Sequence, residues 1–128
     1  MARQTYVDGP YREFQENVDQ ALVGKEGYVV EIIAGNKIQL YAAGIPIGVI
    51  MQRLEGSNAY SVRLFGKGGT LRAIAGGALN SPAYVKAANG GKMVAANSGD
   101  KCHGVCISPA VAAANDVIEV IDNPQVMP

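Results

Sequence analysis

The chain has 128 residues, a length typical of one domain with its own core. Its 11 basic and 11 acidic residues cancel, which argues against a nucleic-acid binder, because such proteins carry a basic stripe. The polar N-terminus does not resemble a signal peptide, and the apolar runs are far shorter than the roughly 20 residues that span a bilayer. We therefore expect a soluble protein made in a reducing cytoplasm, with no membrane or nucleic-acid partner.

Residues 1–20 differ from the rest of the chain because they are polar yet rich in aromatic side chains. We predict an N-terminal arm that orders against a partner and whose removal leaves the stability of the body unchanged. The alternative is an arm that folds back on its own domain, with residues 12–18 pairing as an edge strand. The residue types that anchor interfaces are Tyr6, Tyr11, Arg12 and Phe14.

A single β domain is predicted over residues 21–123, and its first half reads as a series of short strands. Strands are expected at 28–33, 37–42, 47–54 and 60–64, with a hairpin turn at 34–36. Pro46 cannot donate to a strand ladder, so it is predicted to mark a strand boundary. Alternation places Tyr60 and Val62 inside and Arg63 outside.

A glycine-rich linker at residues 66–69 separates the two halves. It lacks the spacing of a phosphate-binding P-loop, so a flexible connection is favoured. Strands are predicted at 70–75, 83–88, 92–96, 102–107 and 117–122, with Ile118 and Val120 inward and Glu119 outward. Residues 110–115 are expected to form a helical turn, and the tail at 124–128 to fray.

The two halves carry an internal repeat. Residues 28–51 align without a gap on 84–107, at an offset of about 56 residues. Tyr28 falls on Tyr84, and Gly48 falls on Gly104. The predicted fold class is therefore all-β, with two pseudo-repeated halves at 21–66 and 70–121.

The second half is rich in alanine, whose burial removes little apolar surface from water. Two interpretations remain open. This half either leans on partner subunits for stability, or forms a small, tightly packed layer of Ala and Gly.

Two groups of residues invite a chemical assignment. Cys102 and Cys106 flank His103, but on a strand the sulfurs would lie about 13 Å apart, and the chain has no other Cys or His to complete a zinc site. Buried structural cysteines are favoured. Lys92 follows a hairpin signal, as in lipoyl and biotinyl domains, but an exposed turn lysine is favoured. No Ser–His–acid set is suggested, so we predict no enzyme, no catalytic residue, no metal and no cofactor.

The chain also resembles a known family. The carrying motifs are Ala21-Leu22-Val23-Gly24, Gly27-Tyr28-Val29-Val30, Ala43-Gly44-Ile45-Pro46-Ile47-Gly48-Val49-Ile50, Gly76-Gly77-Ala78-Leu79, Gly104-Val105-Cys106-Ile107 and Asn115-Asp116-Val117-Ile118-Glu119-Val120. Together these are similar to the capsid decoration (cement) proteins of tailed phages.

That resemblance implies a compact β-barrel or β-tulip-like domain, often a homotrimer. It also implies a place on the outer capsid surface of the virion, after synthesis in the host cytoplasm. The partner would be the major capsid protein. From their residue types, and not from the resemblance, we expect Tyr6, Tyr11, Arg12 and Phe14 of the arm to contact it. The alternatives are a small ligand-binding β-barrel or β-clip module, and an acyl-carrier-like domain modified at Lys92.

Overall fold

A computed structural model describes residues 9–54 and 58–127, and these residues form an almost entirely β structure. The predicted all-β class is confirmed. The strands of the first half are β1 (Tyr11–Glu16), β2 (Val29–Ile33), β3 (Lys37–Leu40), β4 (Ile45–Arg53) and β5 (Ala59–Leu64). Those of the second half are β6 (Thr70–Ile74), β7 (Leu79–Asn80), β8 (Ala83–Ala87), β9 (Met93–Ala95), β10 (Lys101–Ser108), β11 (Val111–Ala112) and β12 (Val117–Val126).

The first five strands close into a barrel in the order β1-β3-β2-β4-β5. β1 closes it by pairing parallel to β3 and antiparallel to β5, with Phe14 opposite Tyr60. Inward-facing apolar side chains fill the interior: Phe14, Leu22, Val30, Ile38, Ile50, Tyr60 and Val62.

The position of β1 corrects the predicted arm. Residues 11–16 belong to the barrel, and Phe14 is only 7% exposed. The physical reason is the alternation of the strand, which turns Phe14 and Glu16 inward while their neighbours face solvent. The alternative prediction, an edge strand within the chain's own domain, is closer to the structure. It differs because β1 is paired on both sides and is not at an edge. Tyr6 lies outside the described residues.

The second half forms a five-stranded sheet in the order β6-β12-β10-β8-β9, and β7 pairs with β11 in a short ribbon. A parallel bridge between Ala75 and Met93 links the two ends of this sheet. The pairing order therefore matches that of the first barrel, with β6, β8, β9, β10 and β12 in the places of β1, β2, β3, β4 and β5. Superposing residues 28–51 on 84–107 remains the test of the predicted repeat.

The core of the second half includes residues of the first. Ala73 and Ala75 are fully buried in one cluster with Val29 and Val49, which come from β2 and β4 of the barrel. The remaining buried members of the cluster are Leu71, Leu79, Val85, Ala87, Met93, Cys106, Ala112, Ile118 and Val120. The alanine-rich half therefore gains apolar contacts from the barrel beside it.

The hairpin between β8 and β9 rests on the barrel as well. The Val29 N–H donates to the carbonyl of Gly91 at 2.7 Å, and the Gly90 N–H donates to that of Tyr41 at 2.8 Å. Gly91 has a φ of +85°, and a Cβ there would lie 2.7 Å from the Val29 carbonyl oxygen. Only glycine suits this position, because it combines left-handed backbone with close approach of a second chain segment.

Three other local predictions were wrong. β4 begins at Ile45, before Pro46, and the β2–β4 register shifts beside Pro46, where a bulge tolerates a residue without an N–H. The predicted helical turn instead contains β11, which pairs with β7. The tail does not fray at 124–126, because β12 continues to Val126 along β10. No helix within the described ranges has the length and apolarity needed to cross a membrane.

Candidate functional site: the outer face of the second sheet and the cleft beside it

The glycine-rich linker at residues 66–69 binds an anion, and that anion is a side chain of the protein itself. The Asp122 carboxylate accepts hydrogen bonds from the backbone N–H groups of Gly66, Lys67 and Gly68, at 2.9, 2.7 and 3.0 Å. Successive N–H groups directed at one carboxylate form an anion-binding nest. The linker is thus fixed to β12 and is not the flexible connection that the sequence favoured.

A buried ion pair completes the contact between the linker and β12. We call this ion pair and the hydrogen bonds to Asp122 the Asp122 junction. Arg63, predicted to face outward, is only 4% exposed, and its Nη1 lies 3.3 Å from Oδ2 of Asp122. The guanidinium also donates to the carbonyls of Leu64 and Gly68. Inward placement is possible because every one of these contacts replaces water with a polar partner.

Glu31 plays a similar structural part on β2 of the first barrel, where it is buried. Its carboxylate accepts hydrogen bonds from the Ala42 and Gly44 N–H groups at 2.7 and 3.0 Å, and from Nε2 of Gln39 at 2.9 Å. The backbone hydrogen bond from Ala42 is the main cause that holds the pKa of Glu31 below its usual value, and burial opposes it. The carboxylate therefore orders the loop between β3 and β4.

The Cys–His segment is divided between two faces of β10. Cys102 and Cys106 are buried and unpaired, as predicted, and Sγ of Cys106 lies 3.2 Å from Oγ of Ser81. His103 faces the other way, and its ring stacks on Phe65 with centroids 4.4 Å apart. Within the described part of the chain no three His, Cys, Asp or Glu side chains are placed to hold a metal ion.

Lys92 is half-buried, so the expectation of an exposed hairpin lysine is corrected. Its Nζ donates to Oδ1 of Asn115 and lies 6.0 Å from the centre of the Tyr28 ring. The cause is the docking of the hairpin against the barrel, which brings Lys92 to Tyr28.

Two predicted partner-binding residues remain accessible on β1. Tyr11 is 46% exposed, and Arg12 is exposed with its guanidinium carbon 5.3 Å from the centre of the Phe14 ring. Phe14 itself is in the barrel core. The structure therefore separates the set into two exposed residues, one buried residue, and Tyr6 outside the described range.

An apolar row that the sequence analysis did not single out crosses the outer face of the second sheet. Strand pairing places Tyr84 of β8 opposite Val105 of β10, Val105 opposite Ile121 of β12, and Ile121 opposite Thr70 of β6. Tyr84 and Ile121 are each 40% exposed, and Val105 is half-buried. We call Tyr84, Val105 and Ile121 the apolar row. The sequence signal that could have revealed this row is that β10 and β12 carry apolar residues at outward as well as inward positions.

A cleft of about 440 Å³ lies beside the apolar row, where the second sheet meets the first barrel. On the sheet side the cleft is lined by Lys86, Asp100, Lys101 and His103. Lys86 is two residues from Tyr84 on β8, and His103 is two residues from Val105 on β10. The barrel side is formed by Tyr41, Gly44, Ile45 and Pro46. Charged and aromatic groups thus converge at the junction of the two halves.

Comparison with known proteins finds no family model that matches this chain and no curated protein similar enough to count as a relative.

Proposed function

We propose that this protein is a virion structural protein of a tailed phage, a decoration protein that binds the outside of the head. The observation that carries the proposal is the apolar row, and the sequence resemblance to capsid cement proteins supplies the partner. In this function the protein bridges neighbouring subunits of the major capsid protein and stabilises the assembled shell. It acts by binding, without catalysis or a cofactor.

The apolar row is suited to protein contact for two physical reasons. Its side chains stand on three hydrogen-bonded strands, so the backbone that carries them is already ordered and only side-chain rotamers lose entropy on binding. Tyr84 also contributes a large, rigid contact area with a hydroxyl that tolerates water, a property common at interface anchors. Burying such residues in a contact recovers the free energy lost by exposing apolar surface to water.

The capsid contact also includes the exposed part of the N-terminal segment. Tyr11 and Arg12 are accessible on β1, whereas Phe14 leaves the set because the barrel core requires it. We include self-association as a homotrimer in the same proposal. A shell lattice presents several equivalent subunits, and a symmetric oligomer contacts them with identical surfaces.

Binding of variants to purified capsids that lack this protein tests the proposal. Ile121→Asn should weaken capsid binding at least tenfold, because a polar group enters the apolar row. The matched control is Val23→Asn, which changes an apolar residue of similar exposure, 47%, in a turn of the first barrel. Normal binding by Ile121→Asn, or equal loss in both variants, would count against the apolar row. Failure of the unaltered protein to bind would refute the function.

A further inference from the structure

The cleft beside the apolar row has the dimensions of a small-molecule site. Its volume of about 440 Å³ falls within the range of roughly 300–1,000 Å³ that ligand pockets occupy. One wall is the outer face of β8 and β10, and the other is the beginning of β4 with Tyr41. The two walls are held in place by the Asp122 junction and the docked hairpin, so the site is formed before any ligand arrives.

The charges in the cleft leave one cation uncompensated. Nζ of Lys86 lies 2.8 Å from Oδ2 of Asp100, and the same oxygen accepts the Asn97 N–H at 2.8 Å. The hydrogen bond from Lys86 holds the pKa of Asp100 below its usual value, so this pair is internally neutral. Lys101 is exposed, and its side chain has no ion-pair or hydrogen-bond partner among residues 9–54 and 58–127.

His103 gives the cleft a fixed, flat surface. Its ring is nearly parallel to that of Phe65, with an interplanar angle of 7°, and this stacking orients the imidazole. Burial lowers the pKa of His103, while the charge of Asp122 acts in the opposite direction. The ring is therefore neutral near pH 7 and offers polar nitrogen atoms together with an aromatic edge.

We propose that this cleft binds a small organic anion, with an acid group at Lys101 and a flat apolar body between Pro46, Tyr41 and His103. A carboxylate and a phosphate monoester share the required chemistry. Either would form a charge-assisted hydrogen bond with the free ammonium group, while its apolar body would displace water from the barrel wall. The proposal does not depend on the capsid function, because none of the members of the apolar row lines the cleft.

The chain contains a single histidine, so the imidazole protons of His103 give an unambiguous NMR signal in unlabelled protein. Phenyl phosphate and benzoate are the probes, with inorganic phosphate and benzyl alcohol as controls for the acid and the ring alone. We expect saturable shifts with one or both aromatic acids at millimolar concentration and a raised pKa of His103 in the complex, since a nearby anion favours imidazolium. The aromatic acid that binds more tightly identifies the ligand class. Equal saturation by inorganic phosphate would mean an adventitious ion only, and would overturn the proposal.

Charge variants locate the site. Lys101→Ala should weaken binding of the better probe about tenfold. Lys37→Ala is the matched control, because Lys37 is also exposed and also begins a strand, but it does not line the cleft. Asp100→Asn should strengthen binding, since it removes the negative charge and keeps an oxygen for the Asn97 N–H. Equal affinities of unaltered protein and Lys101→Ala, or no saturable shift with either aromatic acid, would refute the site.

Discussion

At the scale of single residues, the most consequential side chains are acids that the protein uses as internal anions. Asp122 fills the nest of the 66–69 linker, and Glu31 orders the loop between β3 and β4. Both carboxylates accept hydrogen bonds from backbone N–H groups that lie in loops, outside the strand ladders. Their removal should therefore affect stability more than any exposed ion pair would.

Replacing Asp122 by Ala should destabilise the fold by about 3–5 kcal/mol, because Arg63 would remain buried without its counter-charge. Asp122→Asn should cost less, since the amide oxygen still accepts from the linker. Urea unfolding measures both free energies. The control is Asp116→Ala, which removes an exposed carboxylate whose one hydrogen-bond donor among the described residues is the Ala113 N–H. A loss for Asp122→Ala no larger than for this control would contradict the structural importance of the junction.

Glu31 makes stability depend on pH in a definite direction. Its pKa is lowered in the folded state, so its contribution is complete above the unfolded value, near 4.5, and is lost as the pH falls through the folded pKa. Glu31→Gln should therefore be less stable than the unaltered protein at pH 7, and the difference should shrink below pH 4.5. Unfolding in urea across this range is the measurement. A difference independent of pH would show that the charge of Glu31 does not matter.

At the scale of elements, β1 changes the meaning of the N-terminal segment. The sequence shows a polar stretch with a few aromatics, which is typical of an arm. In the structure the stretch supplies the strand that closes the barrel, because β1 pairs with β3 on one side and with β5 on the other.

Deleting residues 2–16 should abolish cooperative folding of the barrel. The deletion removes Phe14, whose truncation alone would cost about 3–5 kcal/mol in a core, and leaves two unpaired strand edges. Deleting residues 2–8, which precede β1, is the control and should leave the melting temperature nearly unchanged. Circular dichroism melts compare the two. Similar melting of both truncated proteins would mean that β1 is dispensable.

At the scale of the whole molecule, the two halves are not independent. Val29 and Val49 of the first barrel are buried in the core of the second half, and the Asp122 junction connects the same two units. The second half alone would expose this core and lose its partner for Asp122. Its alanine-rich interior has little apolar area to offset that loss.

A fragment of residues 70–128 should consequently fail to fold alone. We expect weak, non-cooperative melting by circular dichroism, in contrast to the sharp transition of the complete chain. Adding a fragment of residues 1–69 should restore part of the transition, since it returns Val29, Val49 and the linker. A cooperative transition for the isolated fragment at the temperature of the complete chain would show that the contact between halves is not needed.

The sequence by itself determined the features that depend on local pattern. Alternation and glycine-containing turns predicted most strands within a few residues, the inward side of β12, and the burial of both cysteines. These features follow from the period of a strand and from the few backbone conformations that tight turns allow. The capsid partner and the trimer remain predictions that rest on resemblance.

Tertiary structure alone decided what is brought together from distant parts of the chain. Arg63 is inside because Asp122, 59 residues away, accepts from it, and no local pattern contains that partner. β1 is a barrel strand because two other strands leave edges that it fills. The apolar row and the cleft exist only through the register of β8, β10 and β12 and the contact between halves, since each contributes a few residues that are unremarkable on their own strands.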